Sequence, residues 1–492
     1  MDGTKDSKVF TRRSLLGATL LGTASVAAGG LLAACASAPP PAATPASPVK
    51  SAATAAPVVA PTSAASTSAP AATAAPSTEK FTIKVSSANS TTEVFRVGLA
   101  KAYTKDHPNI TVEFDPLTDV GQQQPVMVAG GTAGDVFQGY SVNQYKMMQL
   151  AGVYADHTAL IRAHNFDFGG LLKQAQDGIT SQGKIWGIPY EDHAGYSSTF
   201  INKNLFDKAG IAIPKLDWTS EPHPGLKNWT FDDLQQAAIP LTKRDGGKTL
   251  QWGYQLIGAA NTWTFFWCAI RSMGNNYLSD DGTKSQVASP EGRAAIKYYV
   301  DLHQKYKVAP LSADSPSGGP NLFASGRIGI AVGASFKIID LKQTVKDFEW
   351  MTLPGPRGKG GNDGGFEFNS YHVLASSKHP DDAFEVLTLM SSVDACRKVR
   401  EMGGNNGSWK ALWEDPAIIN DPNFSVVAKT VMTTSGLLLP ANGRCNELAD
   451  VAHQLFDPLY SGGRTDVDQA ITEMNTKLQA ILDKPPVALT AG

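Results

Sequence analysis

The chain has 492 residues, of which 42% are hydrophobic and 18% are charged. This composition is typical of a soluble globular protein rather than a disordered chain or a polytopic membrane protein, and the length suffices for two or three domains. The formal net charge of −2 gives no support for nucleic-acid binding, because that function calls for a basic surface.

The first 34 residues have the pattern of an export signal. A twin-arginine segment at residues 11–16 (TRRSLL) precedes an apolar run rich in glycine and alanine, and its glycines argue against a membrane-spanning helix. The run ends in Leu-Ala-Ala-Cys, which resembles a lipobox, so we expect Cys35 to be lipidated. The resemblance implies export by the twin-arginine route and an extracytoplasmic chain anchored to the cell membrane. The alternative is an ordinary signal peptide followed by a chance cysteine.

The segment after Cys35 has the composition of a tether. Residues 36–77 are almost entirely Ala, Pro, Ser, Thr and Val, and Lys50 is their sole charged residue. Such a segment cannot build a core, so we expect residues 35–78 to be a lipidated cysteine followed by a disordered linker. As a flexible coil it would span about 35 Å.

The folded part is predicted to begin near Glu79 with alternating strands and helices. Phe81, Ile83 and Val85 alternate in a way that predicts a first strand, followed by a loop over 86–91 and a helix that ends before Pro108. The residues expected on the buried face of that helix are Phe95, Leu99, Ala102 and Tyr103. Strands over 110–114 and 134–138 complete a pattern that predicts a parallel α/β sheet.

Ligands of open α/β sheets bind beyond the carboxyl ends of the strands. Residues at or after these predicted strand ends are therefore candidates for a ligand site, although each could equally cap a loop. They are Asn89, Ser90, Gln138 and Tyr140.

A second group of candidates lies within residues 183–211. An apolar run ends at Pro189, and it is followed by the polar patch Tyr190, Glu191, Asp192 and His193 and by a predicted strand over 197–202. Acidic and aromatic residues between two strands suit a ligand cleft better than a core, because a buried unpaired carboxylate is costly. The segment closes with a helix that we expect to end at Gly210, since glycine accepts a positive φ.

This stretch resembles the type 1 extracellular solute-binding proteins of ABC importers, the group that includes maltose-binding protein. Their pattern here is Gly-Lys-aromatic-Gly-(Ile/Leu)-Pro, a strand that ends in Asn, and Leu-Phe-x-Lys-Ala-Gly. The matching residues are Gly183, Lys184, Trp186, Gly187, Pro189, Asn202, Leu205, Phe206, Lys208, Ala209 and Gly210. In that family the segment carries the chain from one lobe to the other across the cleft.

Later segments fit the same family. Residues 323–333 resemble a helix end, a glycine turn and a strand that leads to the cleft, and residues 364–369 resemble the return crossing. The resemblance implies that Trp263 is an aromatic residue of the cleft. The other ligand contacts that it implies are Asn275, Ser335, Phe366, Glu367, Asn369 and Trp409. Many sugar binders have Trp near the position of Ser335, and its absence here leaves a smaller or more polar contact.

The resemblance implies a periplasmic-binding-protein-like type II fold, in which two α/β lobes are joined by hinge strands with the ligand cleft between them. We expect lobe 1 to comprise 79–189 with 366–440, and lobe 2 to comprise 190–365 with 441–492. The implied function is that of a monomeric, non-enzymatic receptor for a sugar, which it passes to ABC permease subunits. One alternative is a receptor for a polyamine or another cation, and a second is a surface glycoside hydrolase that uses Glu191, Asp192 or Glu367.

Other chemistry lacks support in the sequence. Residues 178–184 spell most of a phosphate-binding loop, but Ile185 stands where the metal-binding hydroxyl belongs, and a strand follows instead of a helix. The nine histidines lack the spacing of a zinc site, and we expect neither metal nor cofactor. We expect Cys268, Cys396 and Cys445 to be buried, with one disulfide among them still possible.

Overall fold

The computed structural model describes residues 79–193, 197–216, 229–257, 262–311, 322–362, 365–433 and 442–485, without the side chains of 141–143, 262–265 and 433. The predicted export signal, Cys35, the tether and the side chain of Trp263 lie outside the described residues. Within the described ranges, no helix is both long and apolar enough to cross a membrane.

Strands and helices alternate along the first half of the chain, and helices dominate the second half. The strands are β1 (Phe81–Ala88), β2 (Ile110–Leu117), β3 (Val136–Gly139), β4 (Thr180–Ser181), β5 (Lys184–Ile185), β6 (Ile188–Asp192), β7 (Ser198–Asn202), β8 (Lys243–Asp245), β9 (Lys248–Leu256), β10 (Ile328–Gly333), β11 (Trp350–Leu353) and β12 (Phe368–Val373).

The helices are α1 (Thr91–Ala100), α2 (Tyr103–Asp106), α3 (Val120–Ala129), α4 (Ser141–Leu150), α5 (Thr158–Ala163), α6 (Lys173–Ile179), α7 (Lys203–Ala209), α8 (Phe231–Leu241), α9 (Thr262–Ser272), α10 (Pro290–Gln304), α11 (Lys337–Thr344), α12 (Pro380–Ser391), α13 (Val393–Glu401), α14 (Lys410–Trp413), α15 (Pro416–Ile419), α16 (Phe424–Thr433), α17 (Cys445–Tyr460) and α18 (Val467–Leu482). A short 3-10 helix covers Phe168–Gly170.

Two mixed sheets organise the described chain. The first has the order β2-β1-β3-β12-β6 and the second has the order β11-β7-β10-β9-β8. In the first sheet β1 is parallel to β2 and β3, which confirms the parallel arrangement predicted for the first three strands. The returning strand β12 lies antiparallel to both of its neighbours, so the complete sheet is mixed.

The chain passes between the sheets at two places. It leaves the first sheet after Asp192 and enters the second at Ser198, and it returns between Leu353 and Phe368. The boundary predicted after residue 189 falls inside β6, because this strand stays in the first sheet to its end. Whether each sheet moves with its helices as a lobe stays a prediction.

The helix end predicted at Gly210 is confirmed, and side chains cap the start of two other helices. Gly210 ends α7 with φ of +66°, and the Ser289 hydroxyl accepts a hydrogen bond at the start of α10. Thr230 and Asp233 form a reciprocal cap at the start of α8, in which each side chain accepts a bond from the other residue's backbone. Such ends need contacts only between near neighbours, so the sequence suffices to predict them.

The buried face of α1 differs from the prediction. The expected stripe of Phe95, Leu99, Ala102 and Tyr103 is half-buried or exposed. The buried residues of the helix are Glu93, Arg96, Val97 and Ala100. In addition, β1 continues to Ala88 and shortens the predicted loop. A charged pair can occupy this face because its partners come from distant strands.

The three cysteines of the folded part are buried, as expected for small apolar residues, and none of them forms a disulfide within the described residues. The segment over 178–184, which resembles a phosphate-binding loop in sequence, leads into a hairpin of β4 and β5 instead of a turn followed by a helix.

Candidate ligand-binding site

The candidate site lies at one edge of the first sheet. Gly139 at the end of β3 pairs with Ser370, and Asp192 at the end of β6 pairs with Phe368 at the start of β12. Because these strands alternate in direction, the residues just beyond their ends meet at the same edge. This edge therefore brings together Tyr140, Glu191, Asp192, Glu367 and Asn369. It is also the edge at which the carboxyl ends of β1 and β3 point, where open α/β sheets bind ligands.

Neutral hydrogen-bond donors orient the Glu191 carboxylate. Asn405 donates to its Oε1 at 2.9 Å and Asn369 donates to its Oε2 at 3.2 Å. Glu191 is half-buried, so each carboxylate oxygen keeps lone-pair capacity for another donor. The two amides fix the direction of this carboxylate without neutralising its charge.

Asp192 lies deeper and is held more tightly. Only 3% of its surface is exposed, its Oδ2 accepts a 2.6 Å bond from Trp413 Nε1, and its backbone N–H donates to Asn406 O at 3.0 Å. These bonds connect the end of β6 to Asn406, which follows α13, and to Trp413, the last residue of α14. Asp192 is thus held more rigidly than Glu191 at the same edge of the sheet.

Tyr140 is the accessible aromatic residue of this edge. About half of its surface, 52%, is exposed. Its phenol pKa is raised, first by desolvation and then by the negative charges of Glu191 and Glu367. The hydroxyl therefore stays protonated at neutral pH and can donate to or accept from a bound molecule.

The facing edge of the second sheet meets this site at the first crossing. Ser198 pairs with Gly333 at the end of β10, and Ser335 follows with 8% of its surface exposed. His193 leaves the first sheet, donates its backbone N–H to Glu367 O at 2.7 Å, and places its ring edge-on to Phe336 at 6.4 Å. The two crossings are therefore bonded to each other beside the candidate site.

Three predicted contacts are buried behind the site. Tyr190, Phe366 and Trp409 have exposed fractions of 0%, 1% and 7%. Phe366 packs in a hydrophobic cluster, and Trp409 Nε1 donates to Ser391 O at 2.7 Å. Their side chains pack in the core in this structure, and the role of these three residues as ligand contacts stays a prediction.

The candidates near the other strand ends divide in the same way. Asn89 is exposed after β1, whereas Ser90 caps α1. Gln138 is buried and bonds Ala88 N and the Tyr190 hydroxyl. Asn275 contacts Glu291 and its own turn, and it lines an open polar depression of about 550 Å³. Ser90 and Gln138 thus hold the local structure, and their role as ligand contacts stays a prediction.

The sequence reasoning missed the segment that carries Asn405, Asn406 and Trp413. A pair of asparagines within the glycine-rich run 403–407 (GGNNG) was the available signal. Its partners, Glu191 and Asp192, lie more than 200 residues earlier in the chain, and local patterns give no measure of such contacts.

Comparisons with known proteins agree with this architecture. A sequence model of the family described as bacterial extracellular solute-binding protein matches residues 88–395. A binding protein of Brucella abortus is 24% identical over 390 residues, which cover 78% of this chain and 89% of that protein.

Two solved structures resemble the fold. An ABC substrate-binding protein of Listeria monocytogenes in complex with cycloalternan has a TM-score of 0.66 and 22% identity, and the match covers 82% of this chain and 99% of that one. A Mycobacterium tuberculosis protein in complex with glycerophosphocholine has a TM-score of 0.65 and 16% identity, with coverage of 82% and 99%. The fold is that of the type II periplasmic binding proteins.

Proposed function

The chain belongs to the bacterial extracellular solute-binding proteins, and from this membership we propose that it captures a carbohydrate and delivers it to the membrane permease of an ABC importer. The family is extracytoplasmic, binds solutes and does not catalyse reactions, so the glycoside hydrolase alternative is set aside. The carbohydrate, the cleft contacts, the monomeric state and the lipid anchor are the proposed parts.

The observation that carries the carbohydrate proposal is the set of oriented acceptors at the edge of the first sheet. Glu191 is fixed by two amides and Asp192 by an indole N–H, beside the accessible ring of Tyr140. Sugar hydroxyls donate to carboxylates of this kind, and charge-assisted bonds are about twice as strong as neutral ones. Trp263 is proposed to form one wall of the cleft, on which a sugar ring would stack.

A cationic solute such as a polyamine is the second candidate. It is favoured by the neutral character of the two amides that bond Glu191 within the described part of the chain. The amides do not neutralise the negative charge of this carboxylate, and the ammonium group of a bound solute would do so.

The proposed mechanism is closure around the two crossings. The segments between Asp192 and Ser198 and between Leu353 and Phe368 connect the sheets, and a few residues at such connections can absorb the rotation of a hinge. Ligand contacts on both edges would stabilise the closed form, which the permease recognises.

A melting-temperature screen tests the ligand class. We expect at least one sugar in a panel of mono- and oligosaccharides to stabilise the protein, by about 2.7 kcal/mol at a hundred times its Kd. Polyamines and glycerophosphocholine are expected to have no effect. Stabilisation by the amines alone would replace the carbohydrate with the cationic candidate, and absence of any response would contradict both.

Site variants sharpen this test. Glu191→Gln is expected to weaken binding of the best sugar by about 2 kcal/mol, because a charge-assisted bond is lost, and Trp263→Ala by a similar amount for a central aromatic contact. The control is Glu349→Gln, which removes an exposed carboxylate paired with Lys203. Equal affinities for all three variants would contradict the proposed site.

The anchor has a separate test. We expect Cys35→Ser to release the protein from the membrane fraction and to abolish labelling by a fatty-acid probe, while the melting temperature stays the same. Ser37→Ala is the control and should behave as the wild type. Probe incorporation into the Cys35→Ser protein would contradict lipidation at this residue.

A further inference from the structure

The pair formed by β6 and β12 carries a one-residue bulge at Tyr190. Asn369 lies opposite Glu191, whereas the next residue, Ser370, lies opposite Pro189, so Tyr190 has no partner in the register. An extra residue of this kind shifts the alternation of side chains and re-aims those that follow it. Here the residues that follow are Glu191 and Asp192, and the bulge therefore sets the direction of both carboxylates.

The bulged residue is held by its hydroxyl and by its ring. The Tyr190 hydroxyl donates to Glu93 Oε1 at 3.1 Å and accepts a 2.6 Å bond from Gln138 Nε2. Its ring stacks on Tyr371 of β12, with centroids 4.0 Å apart and planes 10° apart. Tyr371 donates to the other oxygen, Glu93 Oε2, at 2.5 Å. One buried carboxylate thus bonds a tyrosine from each strand of the bulged pair.

Two further contacts close the back of the bulge. The Arg96 guanidinium lies 4.5 Å from the centre of the Tyr190 ring, and its Nε is 3.8 Å from Glu93. The Cys396 thiol donates to the backbone oxygen of Tyr190 at 3.0 Å. The bulge is therefore fixed at its hydroxyl, its ring and its backbone.

Chain stability alone does not account for this arrangement. Glu93 and Arg96 are 2% and 0% exposed, and a buried ion pair is often no more stabilising than apolar residues of the same volume. A directional network is better suited than apolar packing to fix one register and one side-chain direction. Its location directly behind Glu191 points to the site.

We propose that Glu93, Tyr190 and Tyr371, here called the tyrosine clamp, are positioning residues that aim Glu191 and Asp192 into the cleft. This rests on the proposed function, because the carboxylates are its proposed ligand contacts. The clamp touches no ligand itself. It acts by keeping the bulge closed, so that loss of one clamp bond lets the end of β6 relax toward a regular strand and turns the carboxylates away.

The test uses Tyr371→Phe, which removes the bond to Glu93 and keeps the stacked ring. Because Trp413 donates to Asp192, its indole N–H resonance reports the position of this carboxylate without any ligand. We expect the resonance to move upfield in the full folded protein and the affinity for the best sugar of the panel to fall about tenfold. Trp413→Phe assigns the signal. Tyr190→Phe, which loses the bond to Glu93 and the bond from Gln138, should show larger effects.

The matched control is Tyr103→Phe. The Tyr103 hydroxyl also donates to a carboxylate, Asp382 Oδ1, at 3.0 Å, but this bond connects α2 to α12 and not the strands of the bulge. We expect this variant to change the melting temperature without moving the Trp413 resonance or the affinity. If Tyr371→Phe and Tyr190→Phe behave like this control, the clamp is merely structural and the proposal is overturned.

A double variant separates positioning from general damage. When Glu191→Gln is already present, Tyr371→Phe should cost less affinity than it does in the wild type, because part of its effect passes through Glu191. Strict additivity would overturn the proposal. The Trp413 resonance decides the positioning role even if no compound of the panel binds, so failure of the proposed function is distinguishable from failure of the clamp.

Discussion

Acidification from pH 6.5 to 4 is expected to remove most of the stability of the folded domain, because three histidines are buried in their neutral form. Burial lowers the pKa of His157 and of His303 to about 4 and that of His372 to about 3. Each pKa unit corresponds to about 1.4 kcal/mol, so each histidine withdraws about 2–3 kcal/mol between pH 6.5 and 4. The three together are comparable to the roughly 5–15 kcal/mol that stabilises a typical domain.

The sign follows from proton binding. Between pH 6.5 and the lowered pKa values, the unfolded chain protonates these histidines and the folded chain does not, so stability rises with pH. Their contribution is complete above pH 6.5 and is lost as the pH falls through the folded pKa. Two groups act in the opposite sense. Desolvation raises the pKa of Glu93. Desolvation lowers the pKa of His164, but hydrogen bonds to Asp381 and Glu385 together raise it by more, so the net shift of this pKa is upward.

A variant of one histidine isolates the effect from these opposing groups. His303 packs against Tyr460, with ring centroids 3.9 Å apart, and His303→Phe keeps an aromatic ring there without a titrating group. Urea unfolding between pH 4.5 and 6 should show a slope of stability against pH lower by about 1.4 kcal/mol per unit than in the wild type.

Tyr460→Phe is the control for this measurement. It changes the same cluster without removing an imidazole, so it should displace the whole stability curve and leave its slope unchanged. An unaltered slope in His303→Phe would show that this histidine does not stay neutral in the folded protein.

Helix ends and the parallel pairing of the first three strands could be predicted because they depend on neighbours in sequence or on a regular alternation of elements. The cap at Ser289 and the left-handed Gly210 need contacts only within one turn. The last helix, α18, is equally local, since its apolar stripe repeats regularly over Val467–Leu482.

The partners of the site residues could not be predicted. The buried stripe predicted for α1 did not include Glu93 or Arg96, but Tyr190 and Tyr371 reach Glu93 from 97 and 278 residues away. Glu191 was expected between two strands, whereas it lies inside β6, and its orientation depends on Asn405, 214 residues later. Local periodicity detects which residues are unusual and cannot detect which distant groups satisfy them.

The same pair supports the second large prediction. Arg96→Met should lower the free energy of unfolding at pH 7 by about 3–5 kcal/mol, because it leaves the Glu93 carboxylate buried without its cation. Arg96 also donates to Met390 O at 2.7 Å, and that carbonyl would lose its donor. The measurement is urea unfolding followed by the fluorescence of the tryptophans.

A cycle of variants distinguishes an ion pair from simple packing. Glu93→Gln alone should also destabilise the protein, since the Arg96 charge would then be uncompensated. The Glu93→Gln/Arg96→Met double variant should cost less than the sum of the two, because neither charge stays buried alone. The exposed pair of Lys398 and Glu401 is also separated by three positions in the sequence, with its charged atoms 3.0 Å apart. Lys398→Met should lower the free energy of unfolding by less than about 1 kcal/mol. If Arg96→Met costs no more than Lys398→Met, the interior of the lobe solvates Glu93 without Arg96, and the two phenols of Tyr190 and Tyr371 alone hold this carboxylate.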